Sequence, residues 1–168
     1  MSCILLTGGF GYIGSHTATI LSDKNLDFVI YDNFSNCKKS VIKRLEKITK
    51  NKVKYEIGDI RDKNNLIKKI NKYNVKSVIH FGALKSVEKS ILNPIDYYEN
   101  NVGGTISLLS AMKLTGAKKL LFSSTAAIYG EPKYYPIDEN HPLNTLNPYG
   151  NTKLIIENIL KDVFNMEK

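Results

Sequence analysis

No run of apolar residues in this sequence approaches the ~20 needed to cross a bilayer, so no membrane span is expected. The opening Met1-Ser2-Cys3-Ile4-Leu5-Leu6-Thr7 has neither a basic flank nor a cleavage-like site, and it reads as a strand rather than a secretory leader. Cysteine is scarce: Cys3 falls in that core strand and Cys37 in a loop. Two reduced thiols are therefore expected instead of a disulfide, as suits a cytoplasmic protein. The three histidines, His16, His80 and His141, fall in a helix, at a strand end and in a loop, so no metal set is read from them. Internal repeats and low-complexity linkers are missing as well. Acidic residues are outnumbered 24 to 16 by lysine and arginine, for a net charge of +8. The lysines are scattered through 38–39, 43, 68–69 and 118–119 without interleaved aromatics on one stripe, so no nucleic-acid partner is expected.

What is present is the make-up of a soluble domain, 42% apolar and 24% charged. Short apolar runs alternate with amphipathic stretches of helical length. Strands are expected at 3–7, 27–31, 53–57, 75–81 and 119–123. Helices are expected from the glycine loop to about Asp23, at 40–50 and at 63–72. Asn93-Pro94 reads as an N-cap followed by proline at the first helical position, opening a long helix to about Leu114 that Gly116 ends. Asn147-Pro148 repeats the signal for a last helix to about Phe164. Leu120-Leu121-Phe122 is a continuous apolar run, expected of a strand covered on both faces. Strand alternating with helix implies an α/β fold: a Rossmann-type, doubly wound parallel sheet.

Thr7-Gly8-Gly9-Phe10-Gly11-Tyr12-Ile13-Gly14 lies between the first strand and the first helix, and Asp32 ends the second strand, 21 residues beyond Gly11. Glycine lets a backbone approach a pyrophosphate, and the helix N-terminus supplies unpaired N–H groups and partial positive charge. An acid behind that loop can accept both ribose hydroxyls and would repel a 2′-phosphate, so NAD is favoured over NADP. Far downstream, Tyr149 and Lys153 stand four residues apart on the last helix. That spacing places a phenol and an ammonium on one face, where the cation stabilises phenolate and makes the tyrosine a usable base.

The spacing Gly8-x-x-Gly11-x-x-Gly14 together with the tyrosine–lysine helix resembles the extended short-chain dehydrogenases/reductases. Further segments are similar to the UDP-glucose 4-epimerase branch of that family: Asp32-Asn33-Phe34-Ser35-Asn36, Gly58-Asp59-Ile60-Arg61, His80-Phe81-Gly82-Ala83-Leu84-Lys85, Tyr97–Val102, Phe122-Ser123-Ser124-Thr125 and Pro148–Lys153. The resemblance runs from residue 1 to about 160, yet covers about the first half of the family's protein. It implies a single NAD-binding domain over 1–168, truncated before the last sheet strands and the substrate domain that follow in the family, so that the edge of strand five is expected to be unpaired and its apolar surface uncovered.

By that resemblance Gly8, Gly11, Tyr12, Ile13 and Gly14 hold the cofactor's phosphates, with Asp32, Asn33 and Asn36 at the adenosine ribose. Asp59 and Ile60 contact adenine, while Phe81, Gly82, Lys85, Asn100 and Ser123 line the cofactor cleft. Tyr149 is the acid/base at the sugar 4-hydroxyl, Lys153 lowers its pKa and holds the nicotinamide ribose, and Thr125 bonds the same hydroxyl. Lys85, Thr125 and Tyr149 face a UDP-hexose. The implied reaction is epimerisation at C4 of UDP-glucose or UDP-galactose through a transient ketone, needing the half that follows in the family, so that the 168 residues alone are expected to be inactive. Two alternatives stay open: a non-catalytic NAD-binding fragment, and a related nucleotide-sugar epimerase or dehydratase. The related 4,6-dehydratases place an Asp-Glu pair just after the strand-five threonine, where this chain has Ala126-Ala127, which disfavours dehydration. Homodimers are implied through the helices at 94–114 and 148–164. The chain departs from the family at Gly82-Ala83, at Gly103 and at Cys37, and none of these removes a catalytic group.

Overall fold

The computed structural model describes residues 3–166; Met1-Ser2 of the opening run and the last two residues lie outside the described residues. The chain divides into two compact units, Met1–Ala83 with Ile106–Ser123, and Leu84–Thr105 with Ser124–Lys168.

The first unit is a five-stranded, wholly parallel sheet in the order β3-β2-β1-β4-β5. Its strands are β1 (Cys3–Thr7), β2 (Phe28–Asp32), β3 (Tyr55–Ile57), β4 (Val75–His80) and β5 (Lys119–Phe122). The helices are α1 (Tyr12–Asp23), α2 (Ser40–Thr49) and α3 (Lys63–Lys72), together with most of a longer one, α6 (Gly104–Thr115). Adjacent residues of a strand point to opposite faces, and β1 shows the consequence. Leu5 packs with Val29, Tyr31 and Val78 beneath Leu66 and Ile70 of α3 and Leu108, Ala111 and Met112 of α6. Leu6 packs with Ile30 beneath Ala18 of α1 and Leu45 of α2. The chain steps outward from β1 to β3, returns through α3 to β4 on the other side of β1, and so creates a switch point between β1 and β4. Open parallel sheets bind ligands outside the carboxyl ends of strands at such a point.

Helix ends follow local chemistry. Asp62 caps α3, its side chain accepting from the Asn65 N–H. Gly116, at φ +73°, ends α6 in a left-handed turn with Ala117 N–H on the Met112 carbonyl at 3.1 Å. Glu56 of β3 lies under α3, where burial raises its carboxyl; hydrogen bonds from Lys69, Lys72 and Tyr73 outweigh that and hold it at about 2.

The second unit is helical. It holds α4 (Val87–Leu92), α5 (Pro94–Tyr97), a π turn over Tyr98–Gly103, the start of α6, a short 3-10 turn over Ala126–Ile128, and α7 (Pro148–Met166). Here the sequence expectation needs correction. The helical stretch begins at α4, capped by Ser86, and Asn93 makes no side-chain cap, serving only as the break before Pro94. The stretch from 94 to 115 is not one regular helix, because the π turn interrupts it. At α7 the expectation holds: Asn147 Oδ1 accepts the Gly150 N–H at 2.8 Å. The apolar run in β5 is also corrected. Among the described residues β5 pairs only with β4, and Leu121 is 58% exposed.

Candidate active site

In the first unit the expected cofactor residues gather at the carboxyl ends of the strands. Gly8 follows β1 at φ +66°, and a Cβ there would fall 2.6 Å from the backbone nitrogen of Gly82, just past β4. Gly14 sits in the first turn of α1, where a Cβ would meet the Gly8 carbonyl at 2.5 Å. Both glycines are demanded by the fold itself. Gly11 is different: it has φ −66°, and a Cβ would meet only the Gly8 carbonyl, at 3.2 Å. It heads α1 with no side-chain cap and no acid in the first turn, which leaves the helix N-terminus suited to an anion. Tyr12 and Ile13 beside it are exposed. Gly14→Ala should cost about 2 kcal/mol or more by forcing α1 off the loop, read as a lowered midpoint in urea; an unchanged midpoint would show that the loop can give way.

Asp32 ends β2 nearly buried, and its carboxylate is oriented from two sides. Oδ2 accepts the Phe10 N–H of the glycine loop at 3.0 Å and Oδ1 accepts the Phe34 N–H at 2.8 Å. Each oxygen keeps acceptor capacity for a further donor. Asn33 reaches Asp59 Oδ2 at 3.4 Å, and Asn36 is exposed. Asp59, after β3, is held at about 2, chiefly by the side-chain hydrogen bond from Arg61. Ile60 belongs to the core beside Leu66 and is buried. Phe81 continues β4, its N–H on the Thr7 carbonyl at 2.9 Å, and Ser123 continues β5, its N–H on the His80 carbonyl at 3.2 Å. Both cysteines are free thiols, and burial pushes both up to about 11. His80 is buried, with Nδ1 2.6 Å from Thr7 Oγ1. Among the described residues no cluster could hold a metal ion, and no helix is long and apolar enough to cross a membrane.

The second unit holds Lys85, Asn100, Thr125, Tyr149 and Lys153. Thr125 caps the 3-10 turn, its Oγ1 accepting the Ala127 N–H at 3.2 Å, which leaves the hydroxyl proton to donate elsewhere. The carbonyl of Ala127 in that turn lies against Gly150 so closely that a Cβ there would sit 2.8 Å away. The Thr125 turn and the first turn of α7 are thereby packed together. Tyr149 is half-buried on α7, and Lys153 one turn later is 4% exposed, its ammonium brought down by burial to about 8. Ser124 donates to Glu157 of the same helix. Lys85 is exposed and Asn100 half-buried.

Asn101 is absent from the sequence-based expectations. It is buried, and all four of its hydrogen-bonding positions are used. Oδ1 accepts from the Leu84 N–H at 2.8 Å and from Asn100 Nδ2 at 3.0 Å; Nδ2 donates to the Leu84 carbonyl and to Thr152 Oγ1, each at 3.0 Å. Thr152 donates in turn to the Tyr149 carbonyl at 2.7 Å. One amide thus ties the segment before Lys85 to α7. The only sequence signal was two adjacent asparagines in a helical pattern, which does not reveal that a π turn directs one of them inward.

The family model described as GDP-mannose 4,6 dehydratase matches residues 5–167. The UDP-glucose 4-epimerase of Yersinia enterocolitica is 46% identical over 160 residues, 95% of this chain and 48% of that protein. Two crystal structures are similar throughout the chain. The UDP-glucose 4-epimerase of Stenotrophomonas maltophila, with bound NAD and formylated UDP-arabinopyranose, superposes with a TM-score of 0.96 at 36% identity, over 100% of this chain and 50% of that one. The Bifidobacterium longum UDP-glucose 4-epimerase, with NAD⁺ and UDP, gives 0.93 at 43% identity, over 96% and 49%. The chain spans about half the length of the curated relatives it matches.

Proposed function

Because the chain belongs to the NAD-dependent epimerase/dehydratase family and is a homologue of the UDP-glucose 4-epimerases, we propose that it holds NAD and carries the acid/base groups for epimerising a UDP-hexose at C4. One observation carries this reading: the Thr125 turn is packed on the first turn of α7, where Tyr149 and the buried Lys153 stand one turn apart.

The residues present fit the dinucleotide. Gly11 heads an uncapped helix, and Asp32 is held by two backbone amides with acceptor capacity to spare. NAD, when bound, supplies the acceptor for hydride from the sugar C4 and gives hydride back. Gly8, Gly11, Gly14, Tyr12 and Ile13 serve its phosphates; Asp32, Asn33 and Asn36 serve its adenosine ribose, and Asp59 and Ile60 its adenine. Phe81, Gly82, Lys85, Asn100 and Ser123 line the remainder. Tyr149, with Lys153 stabilising its phenolate, takes the proton of the 4-hydroxyl and returns it; Thr125 donates its free proton to the same oxygen. Lys85 contacts the substrate. The family model is described by a dehydratase, but Ala126 and Ala127 offer no titratable group after Thr125, which favours epimerisation over elimination. Exposed Ile95, Ile106, Leu114 and Phe164 on the helices near 94–114 and 148–164 suit the homodimer inferred from the resemblance.

Calorimetric titration tests the cofactor assignment. NAD should bind the 168-residue chain, with NADP at least about tenfold weaker because Asp32 repels a 2′-phosphate. Equal affinity or a preference for NADP would overturn it. A non-catalytic NAD-binding chain is the second reading, prompted by coverage of about half of each relative. Joining the chain to the carboxyl-terminal half of the Yersinia enterocolitica relative and assaying with UDP-galactose separates the two: turnover supports the enzyme, while NAD binding without turnover supports the carrier.

A further inference from the structure

The segment from Tyr129 to Asn147 joins the Thr125 turn to the helix bearing Tyr149, and its interior is organised around one histidine. His141 is 3% exposed. Its Nε2 accepts the Lys133 backbone N–H at 2.9 Å, and its Nδ1 lies 2.9 Å from the Pro142 carbonyl. A backbone N–H only donates and a carbonyl only accepts, so these contacts define a neutral ring with its proton on Nδ1. Tyr129 stands edge-on at 5.5 Å between centroids, and Tyr134 lies at 4.7 Å. Tyr134 donates to Asp138 at 2.8 Å, and the His141 N–H closes onto the Asp138 carbonyl at 3.2 Å.

The ends of the segment are clamped as well. The Asn144 N–H donates to the Ile128 carbonyl at 3.0 Å, and Gly130, at φ +65°, lies so close to the Asn144 carbonyl that no Cβ fits. Thr145 donates to Asn151 at 3.0 Å, and Asn147 caps α7 through Gly150. Along the chain these bonds succeed one another, from His141 to Asn144 and then to Thr145 and Asn147, which bond the first turn of α7.

We propose that His141 is a positioning residue: as a neutral imidazole it holds this segment closed and so fixes Tyr149 against the Thr125 turn. The importance of Tyr149 rests on the epimerase reading; the geometry does not. A proton on Nε2 would set it against the Lys133 N–H, two donors face to face. The titratable groups facing the ring are Tyr129, Tyr134 and Asp138, and the Asp138 carboxylate is already taken by Tyr134 and the Asn140 N–H.

Amide hydrogen exchange on the 168-residue chain tests this without any need for turnover, so failure of the epimerase reading leaves the test intact. His141→Phe keeps a ring and loses both hydrogen bonds. The Lys133, Asn144 and Gly150 amides should then exchange at least about tenfold faster, with the Leu5 and Val78 amides of the sheet unchanged. His141→Gln restores an acceptor and should return Lys133 and Gly150 to within about threefold of the parent. Unchanged protection at Gly150 in His141→Phe overturns the proposal. So does uniform loosening of the sheet, or a failure of glutamine to rescue, either of which would reduce His141 to packing. Should His141→Phe not fold, His141→Leu, which likewise removes both hydrogen bonds, is read by the same amides in its place.

Discussion

Replacing Lys153 with methionine is expected to remove a rise in stability of about 3 kcal/mol between about pH 7 and about pH 10.5, along with the charge that the proposed chemistry needs. Burial brings the Lys153 ammonium from the ordinary 10.5 down to about 8, and each tenfold change in proton affinity corresponds to about 1.4 kcal/mol. The unfolded chain thus binds this proton more tightly than the folded one. Below about 8 both states hold it and this group adds no slope. Between about 8 and 10.5 the folded state has released the proton, so this group's contribution makes the parent more stable as pH rises. Methionine fills similar space, has no charge to bury and should remove that slope. Urea unfolding of both chains at about pH 7 and about pH 10.5 reads the slope. A variant whose stability rises between the two pH values as steeply as the parent's would remove Lys153 as its source.

The second large effect concerns turnover. In a chimera joining this chain to the carboxyl-terminal half of the Yersinia enterocolitica relative, Tyr149→Phe should lower kcat by about 10²–10⁴-fold, the usual contribution of a positioned acid/base. NAD binding should survive, because the phenylalanine ring keeps the packing while only the ionisable oxygen is lost. Release of a glucose-configured product from UDP-galactose follows the first quantity, and calorimetry the second. A kcat within about tenfold of the parent would remove Tyr149 from the base role.

Much of this was legible in the sequence because its signals are local and physical. Gly8 to Gly14 sit between a strand and a helix, and Asp32 ends β2 with its carboxylate against the glycine loop, as the spacing implied. Strand and helix alternate as the apolar pattern indicates, with α3 at the expected bounds. What escaped was set by tertiary contacts. Asn93-Pro94 carries a strong start signal, yet Ser86 had already opened a helix. The π turn depends on Asn101 finding both polar groups of Leu84, a partner 17 residues away. The exposure of Leu121 agrees with the unpaired edge that the resemblance implies and not with the apolar run alone, since the same three residues would read alike in a central strand.

That edge gives the surplus of lysine a colloidal meaning. Among the described residues β5 pairs on one side only and has the apolar Leu121 in the open, and an unpaired edge is the geometry by which like chains stack into sheets. Lys118 and Lys119 stand at the start of that strand, on a chain carrying +8 overall. Two copies approaching edge to edge meet charge of one sign before they can share a ladder. Salt, by screening that repulsion over about 10 Å at 0.1 M, becomes the variable that governs how concentrated the chain can be held.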